Sequence, residues 1–350
     1  MSEATATRAR SDTGAALAPQ RWLDSLSHES LESGALARLV ADGLHGVAAN
    51  PAALLHEISN CPAYQAVLPA LRAAHSGPQD RLDALQAPDL RRACDLLAAT
   101  YEGSSGRAGF VSADLPPFAA HDAPALLAAA LRLHAAVGRP NLLVKVPATA
   151  AGIAAIEDIV HAGIGVNATL AFTPRHVSAV RAAHRRGLAR RLQGMLSVQR
   201  IACVASMPVG PLNAAVDAQL GQCAAPLRGT AAAACARLAW RDLHADSGFA
   251  IFAAFGAVPQ MLALTEASDA FTEHIALPGT VHVADATAFG APRDAAPVST
   301  PLQDDIDQAL ATIAQLARHG IDLETIGNDA LAAGLTQFER THRNLLALMG

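Results

Sequence analysis

Short apolar runs alternate with longer segments of helical period along most of the chain. Each run has four to eight residues and the composition of a buried strand. The segments between them, such as 123–137 and 175–187, repeat apolar residues at three- and four-residue spacing and therefore predict helices. The eight predicted strands are RWLD (21–24), GVAAN (46–50), GFVSADL (109–115), NLLVKVP (141–147), GVNATLAF (165–172), IACVASM (201–207), QMLALT (260–265) and TVHVAD (280–285).

This alternation predicts the architecture. Strands separated by helices pair in parallel, because the helix carries the chain back to the same end of the sheet. Eight such units in 350 residues fit a closed barrel as one domain. An open doubly wound sheet is the alternative, but no Gly-rich turn follows the first predicted strand and no phosphate-loop motif occurs. We expect an α/β protein with a single (β/α)8 TIM-type barrel.

Both ends of the chain fall outside the alternation. Residues 1–19 are polar, rich in small residues and interrupted by Glu3 and Asp12, which is untypical of a signal or transit peptide. The final segment, 306–350, has the periodicity of two or more helices joined near His319–Ile321. We therefore expect a flexible N-terminal tail over 1–19 and a barrel domain over 20–350, with extra C-terminal helices packed across it.

Charge and composition exclude several classes of partner. The net charge of -5 gives no electrostatic reason to expect nucleic acid or an anionic membrane. The most apolar long window, 123–138, contains Arg132 and is too short to cross a bilayer. The arginine run 181–191 is expected on a solvated helix face. We expect a soluble protein that binds neither nucleic acid nor membrane.

Cysteine and histidine spacing gives no indication of a metal or disulfide framework. The five cysteines are far apart and form no CxxC pair. The 14 histidines form no HxxxH or HExxH pair. We therefore expect no metal, and the simplest location is the reducing cytoplasm.

Lys145 is the only lysine in the chain, and it lies inside a predicted strand; the other basic residues among the 26 Lys+Arg are arginines. Removal from water lowers the pKa of an ammonium group, and a neutral amine can attack a carbonyl to form a Schiff base. Arginine cannot do this. The alternative is a structural lysine that reaches water at the strand end or pairs with a carboxylate. The strong preference for arginine elsewhere favours the catalytic interpretation.

Other polar residues end the neighbouring predicted strands. In a (β/α)8 barrel such positions meet at the carboxyl face, where catalytic groups lie. An amine, two carboxylates and neutral hydrogen-bonding groups suit cleavage of a carbon–carbon bond through an iminium. Taken singly, one carboxylate could instead cap the next helix, and the hydroxyls could be ordinary core groups. The candidates are Asp24, Asn50, Asp114, Lys145, Asn167, Thr169 and Ser206.

The segments that carry these residues resemble the transaldolase family, of the longer bacterial type, and the resemblance covers essentially residues 20–350. The most specific motif is NLLVKVPAT (141–149). The other similar segments are RWLDSLSHESLESGALARLVADGLHGVAANPAAL (21–54), APDLRRACDLLAATYEGSSGRAGFVSADLPPFAAHD (87–122) and the rest of RPNLLVKVPATAAGIAAIEDIVHAGIGVNATLAFT (139–173).

The resemblance implies a cofactor-free enzyme of the pentose phosphate pathway that transfers a three-carbon dihydroxyacetone unit between sugars. It implies that Lys145 is the Schiff-base lysine, that Asp24 shuttles the proton during bond cleavage, and that Asp114 is the general acid/base of imine formation. It further implies that Thr169 helps to position a catalytic water, while Asn50, Asn167 and Ser206 bind substrate hydroxyls. The partners are sugar or sugar-phosphate substrates, and a homodimer stays an open alternative.

Asp114 departs from the family pattern, which has a glutamate at this place. Because aspartate is one methylene shorter, its oxygens retract by roughly 1–1.5 Å, a shift that can cost about 10²-fold in rate unless something compensates. A relocated water could bridge the gap. The turn before Asn50 also differs, since Ala48 and Ala49 stand where the family has threonines.

The phosphate-binding residues of the family are also missing. Pro208 and Pro211 replace the Phe and Arg of a Ser-x-Phe-Val-x-Arg pattern. A second basic residue normally follows the seventh strand, yet neither Lys nor Arg occurs between Arg241 and Arg293. A phosphate dianion needs charge-assisted donors, and His274 or His282 would be weak substitutes.

We therefore expect a transaldolase-like transferase, with a non-phosphorylated or unusual substrate as the favoured form. Two alternatives remain open at this point. One is a catalytically silent barrel that binds a metabolite or a protein. The other is a class I aldolase that releases its three-carbon fragment instead of transferring it.

Overall fold

The computed structural model describes residues 19–265, 275, 277–289 and 302–350. The predicted tail, 1–19, lies outside the described residues except for its last position.

Eight parallel strands form a closed barrel, in which each strand pairs with the next and β8 pairs with β1. All eight predicted strands are present, with ends that differ by no more than a few residues from the expected ones. The (β/α)8 prediction is confirmed, and the doubly wound sheet is wrong. The strands are β1 (Gln20–Asp24), β2 (Gly46–Ala48), β3 (Phe110–Asp114), β4 (Leu142–Pro147), β5 (Gly165–Thr169), β6 (Cys203–Pro208), β7 (Met261–Thr265) and β8 (Val281–Ala284).

Helices follow the strands on the outside of the barrel. Within the described residues these are α1 (His28–Glu32), α2 (Ala35–Ala41), α3 (Pro51–Asn60), α4 (Pro62–Ala74), α5 (Pro78–Leu96), α6 (Ala98–Gly103), α7 (Ala123–Val137), α8 (Ala150–His161), α9 (Pro174–Gln193), α10 (Val209–Asp217), α11 (Ala231–His244), α12 (Ala250–Ala254), α13 (Leu302–Arg318) and α14 (Leu323–Met349).

Two helical segments of the sequence are divided in the structure. The pattern over 31–43 predicts one helix, but Gly34 adopts a left-handed φ of 71° and separates α1 from α2. The pattern over 90–102 is likewise divided at Leu97, between α5 and α6. Apolar spacing continues through both breaks, and it therefore does not reveal them.

Bulky side chains fill the amino-terminal half of the barrel interior. Trp22 is fully buried and lies beside Phe110, with a ring-centroid distance of 6.1 Å. Gly46 provides the space for the indole, since a Cβ at this position would lie 2.7 Å from the Trp22 ring. Gly165 similarly accommodates Leu143. This half is a packed core, so the open space of the barrel is at its carboxyl end.

The last helix, α14, lies across that carboxyl end. Asp322 caps the start of α14, since its side chain accepts hydrogen bonds from the backbone N–H groups of Glu324 and Thr325. The helix packs against α3, α5 and α10. Gly334 lies over Leu170, which directly follows β5. Both expected C-terminal helices are present, with residues 319–322 between them. Only α14 lies across the barrel, however, because α13 packs against α11.

The arginine run of α9 lies on the exterior, as expected, but its side chains are paired with carboxylates of neighbouring segments. Arg186 and Arg190 contact Glu157 and Asp158 of α8, and Arg185 contacts Asp246 at 2.9 Å. These pairs tie α9 to its neighbours. In the described part of the chain, no helix is both long and apolar enough to span a membrane.

Candidate active site

Lys145 points into the barrel from the middle of β4. Its Nζ donates to the backbone oxygen of Ala49 at 2.6 Å and lies 3.1 Å from Oδ1 of Asp114. Only 12% of the side chain is exposed. The lysine therefore does not extend into solvent, and its amine is held between the β2–α3 turn and the end of β3.

Asp114 is the last residue of β3 and lies opposite Lys145 in the strand register. Burial raises the pKa of its carboxyl group above the usual value of 3.8, and the nearby charge of Asp24 acts in the same direction. The ammonium of Lys145 opposes this shift without cancelling it. Asp114 can consequently hold a proton at a pH where an exposed aspartate would have lost it.

Asp24 ends β1 on the same side of the barrel. Burial raises the pKa of this carboxyl group too, while Lys145 and a hydrogen bond with Asn50 moderate the rise. Asp24 does not cap the following helix, because Ser27 occupies the cap of α1 and accepts from the N–H of Ser30. The capping alternative for Asp24 is therefore wrong.

A chain of neutral side chains crosses the floor of the site. Ser206 Oγ donates to Asn167 Oδ1 at 2.7 Å, and Asn167 Nδ2 donates to Ser112 Oγ at 2.9 Å. All three side chains are buried. These bonds fix the orientation of the Asn167 amide beside Lys145, its partner in the strand register. Sequence reasoning missed Ser112, although it lies two positions before Asp114 and hence on the same face of β3.

Asn50 and Thr169 complete the predicted set. Asn50 also has a structural role, since its Oδ1 caps α3 by accepting from the N–H groups of Ala52 and Ala53. Thr169 is buried at the end of β5. The next residue, Leu170, has a φ of 59°, a left-handed conformation that is uncommon for a bulky side chain and turns the chain sharply at the site.

These residues surround one cavity of ≈ 90 Å³ at the carboxyl end of the barrel, called the substrate cavity below. The remaining wall is largely apolar and includes Leu170, Pro208, Val283 and Phe338. Phe338 belongs to α14, and the sequence interpretation did not identify it. Six of the seven predicted residues line the cavity: Asp24, Asn50, Lys145, Asn167, Thr169 and Ser206. The seventh, Asp114, contacts Lys145 beside the cavity.

Basic groups are scarce around this cavity. Lys145 is the only basic residue among the described residues that line it. His282 does not line it, because strand alternation directs Val283 to the cavity and places His282 beside Thr280. The idea that His282 substitutes for a phosphate-binding cation is therefore wrong, and His274 lies outside the described residues. Over the described ranges, no group of three or more His, Cys, Asp or Glu residues could hold a metal ion.

Comparison with known proteins gives matches that span nearly the whole chain. The family described as Transaldolase/Fructose-6-phosphate aldolase matches residues 21–349. A protein named Transaldolase from Thiobacillus denitrificans is 36% identical over 345 residues, which cover 94% of this chain and 96% of that protein. Transaldolase from Neisseria gonorrhoeae is 36% identical over 95% of this chain and 97% of its own length. Transaldolase 1 from Streptomyces coelicolor is 32% identical over 99% of this chain and 96% of its own length.

Proposed function

Because the chain belongs to the transaldolase/fructose-6-phosphate aldolase family, we propose that it transfers a three-carbon dihydroxyacetone unit between sugars through an imine on Lys145. The observation that carries the proposal is the contact between Lys145 and Asp114, beside a cavity that Asp24 also lines. One amine and two carboxylates with raised pKa values are the groups that this chemistry requires.

The first step joins the donor ketone to the lysine. Asp114 takes a proton from Nζ, and the neutral amine attacks the carbonyl carbon to give a carbinolamine. Protonated Asp114 then gives its proton to the carbinol hydroxyl, which leaves as water. The neutral carbinolamine on Lys145 and protonated Asp114 thus become an iminium, the Asp114 carboxylate and one water.

The second step breaks the carbon–carbon bond. Ionised Asp24 removes the proton from the hydroxyl that lies β to the iminium carbon. The bond electrons move to the iminium, which becomes an enamine, and an aldehyde leaves. Asn50, Asn167 and Ser206 hydrogen-bond the hydroxyls of the donor, and Thr169 positions a water. Addition of the enamine to an acceptor aldehyde and hydrolysis of the imine complete the transfer.

We further propose that the preferred donor carries no phosphate. Two observations support this. Lys145 is the only basic group in the described lining of the substrate cavity, and this group is used by the imine. The wall formed by Leu170, Pro208 and Phe338 offers no charge-assisted donor for a dianion.

The experiment is borohydride reduction followed by intact-mass spectrometry, with fructose 6-phosphate, fructose and dihydroxyacetone as separate donors. A three-carbon adduct that disappears in Lys145→Arg supports the imine, and an adduct formed as readily from fructose as from its phosphate supports the donor class. No adduct from any donor would contradict the proposal and favour a silent barrel, in which Lys145→Arg leaves binding unchanged.

The acceptor aldehyde separates transfer from simple cleavage. A transferase retains the three-carbon unit until an acceptor arrives, whereas a class I aldolase releases it. We expect fructose and added erythrose, a four-carbon aldehyde, to give a seven-carbon ketose and glyceraldehyde. Equal release of dihydroxyacetone with and without erythrose would favour the aldolase.

A further inference from the structure

Four large apolar side chains line the substrate cavity beside its charged and polar groups. They are called the apolar wall below and come from the end of β5, from β6, from β8 and from α14: Leu170, Pro208, Val283 and Phe338. Lys145 lies on β4, and β8 is the strand four places away in the closed barrel. Part of the apolar wall therefore faces the lysine from the opposite side of the barrel.

The packing of α14 fixes two members of the apolar wall. Gly334 lets the helix approach Leu170 closely, since a Cβ at Gly334 would lie 2.8 Å from Cδ2 of that leucine. Phe338 follows one helical turn later and hence on the same face of α14. Leu170 itself is only 6% exposed. The two side chains are therefore held at the cavity by the contact between the helix and the end of β5.

The polar groups of the cavity are largely engaged with one another. Asn167 accepts a hydrogen bond from Ser206 and donates one to Ser112. The side chain of Asn50 caps α3 and also hydrogen-bonds Asp24. Each such bond removes a donor or acceptor that a sugar hydroxyl could use. The cavity can therefore satisfy the hydroxyls near Lys145 but has few polar groups for further ones.

The proposed reaction determines which part of the donor reaches the apolar wall. The carbonyl carbon of the donor is joined to Nζ of Lys145, and Asp24 takes the proton from a hydroxyl two carbons further along. A six-carbon donor continues for two more carbons beyond that hydroxyl. Asp24 lies on β1, which pairs with β8 and places Val283 opposite Trp22, two positions before Asp24. The last carbons of the donor therefore lie next to β8 and the apolar wall.

We propose that the apolar wall binds a methyl group at the far end of the sugar, so that the substrates are deoxy sugars whose last carbon bears no hydroxyl. The inference rests on the proposed function, because the imine on Lys145 sets the position of the donor. A terminal hydroxymethyl group would lose its hydrogen bonds to water at the apolar wall without a replacement. A methyl group loses none and gains apolar contact.

The bond changes are those of the proposed reaction, with a different leaving aldehyde. In 6-deoxyfructose, Asp24 takes the proton from the hydroxyl β to the iminium carbon, the bond between the third and fourth carbons breaks, and its electrons form the enamine. Lactaldehyde leaves, where fructose would give glyceraldehyde. The acceptor aldehyde enters the space that the leaving aldehyde vacates, so a methyl-ended acceptor is favoured for the same reason.

Erythrose as a common acceptor provides the test, because 6-deoxyfructose and fructose then give the same seven-carbon ketose. The measurement is kcat/KM for each donor, divided by the fraction of that sugar present as the open-chain ketone, which is obtained by NMR. This correction is needed because 6-deoxyfructose lacks the hydroxyl that closes the six-membered ring. We expect the corrected kcat/KM to be about tenfold higher for 6-deoxyfructose.

Two valines of β8 provide matched variants. Val283→Thr keeps the shape of the side chain but places a hydroxyl at the apolar wall. Val281→Thr is the control, since Val281 lies two positions earlier on the same strand, is fully buried and does not line the cavity. We expect the preference for 6-deoxyfructose to disappear in Val283→Thr and to remain in Val281→Thr. The ratio of the two donors does not depend on the fraction of protein that is folded.

Phe338→Tyr is a second variant, for use if Val283→Thr fails to fold. It adds a hydroxyl to the apolar wall from α14, and we expect the same loss of preference. Equal corrected values for the two donors, or equal changes in the two valine variants, would overturn the inference.

Thr265 provides a further contradicting outcome, since it lines the cavity and pairs with Pro208 in the strand register. A preference for fructose that Thr265→Val abolishes would mean that a terminal hydroxyl is bound, and would overturn the inference. In all these cases a borohydride-trapped adduct would still form. Absence of both the ketose and the adduct with every donor would instead refute the proposed function, and with it this inference.

Discussion

At the scale of single residues, the contact between Asp114 and Lys145 is fixed by the backbone. The two residues are partners in the register of β3 and β4, and both side chains point into the barrel. Aspartate is shorter than the glutamate of the family pattern, yet Oδ1 lies within 3.1 Å of Nζ. Asp114 can therefore act on the amine by direct contact and needs no bridging water to reach it.

The two carboxylates predict a bell-shaped dependence of kcat/KM on pH. Asp24 must be ionised to act as a base, so activity falls as the pH drops through its pKa. The proton that Asp114 takes from Nζ and then gives to the carbinol hydroxyl must be present on the Asp114–Lys145 pair, so activity falls at a pH high enough to remove it. Burial raises the pKa of both carboxyl groups above 3.8. We therefore expect both limbs of the pH profile at a higher pH than the titration of an exposed aspartate.

Asp114→Asn tests this assignment. The amide keeps the shape but cannot give a proton, and we expect kcat/KM to fall by about 10²–10⁴-fold with loss of the limb due to Asp114. The measurement is the pH profile of adduct formation from dihydroxyacetone. Asp24→Asn is the control, since it should block cleavage of fructose and leave this adduct intact. An unchanged profile in Asp114→Asn would assign the limb to another group.

The position of a residue along a strand was enough to predict six of the residues that line the substrate cavity. Asp24, Lys145 and Asn167 could be found because strand ends meet at one face of any (β/α)8 barrel. Phe338 could not be found in this way. It lies on a helix, and its place at the cavity depends on how this helix docks, which apolar periodicity does not specify.

At the scale of elements, β1 and β2 pack closely because a large residue on β1 pairs with a glycine on β2. Trp22 occupies space that a side chain at position 46 would otherwise take, since a Cβ there would lie 2.7 Å from the indole. The number and order of the strands could be predicted from the sequence. This pairing of a large and a small residue could not, because it depends on the register in which β1 and β2 pair, which places Trp22 beside Gly46.

Gly46→Ala should therefore destabilise the barrel. Its Cβ would lie 2.7 Å from the ring of Trp22, so the indole or the strand must move. We expect a loss of about 1–3 kcal/mol in the free energy of unfolding, measured by urea denaturation.

Gly103→Ala is the matched control for this substitution, since a Cβ at Gly103 meets no atom within 4 Å. It should leave the urea midpoint nearly unchanged. An equal effect of both substitutions would mean that the indole does not limit the space at position 46.

At the scale of the whole molecule, the C-terminal helix reaches the candidate site at the carboxyl end of the barrel. Phe338 of α14 lines the substrate cavity, while His342 and Leu345 of the same helix line a second cavity, of ≈ 40 Å³, beside the β2–α3 turn. The last 28 residues thus form part of both spaces. The match to the family extends to residue 349 and so includes this helix.

Phe338→Ala should shift the enzyme from transfer towards release. Removal of the ring opens the substrate cavity to solvent, and water then competes with the acceptor for the retained three-carbon unit. We expect the ratio of released dihydroxyacetone to transferred product to rise about tenfold. Product analysis with fructose and erythrose measures this ratio, because the transferred product is then a seven-carbon ketose.

Leu348→Ala is the control for Phe338→Ala. Leu348 is also half-buried on α14, but it lines neither cavity. If the two variants release dihydroxyacetone equally, the effect comes from loosening of the helix and not from the ring over the site.

The burial of Lys145 within β4 has a consequence for proteolysis. A protease that cuts only after lysine has one target in this chain, the bond between Lys145 and Val146. That bond lies inside a strand that is hydrogen-bonded to β3 on one side and β5 on the other. A protease must bind several residues in extended form, so cleavage requires the barrel to open. The appearance of fragments 1–145 and 146–350 would then report the opening of the whole sheet, at the residue to which the proposed imine is assigned.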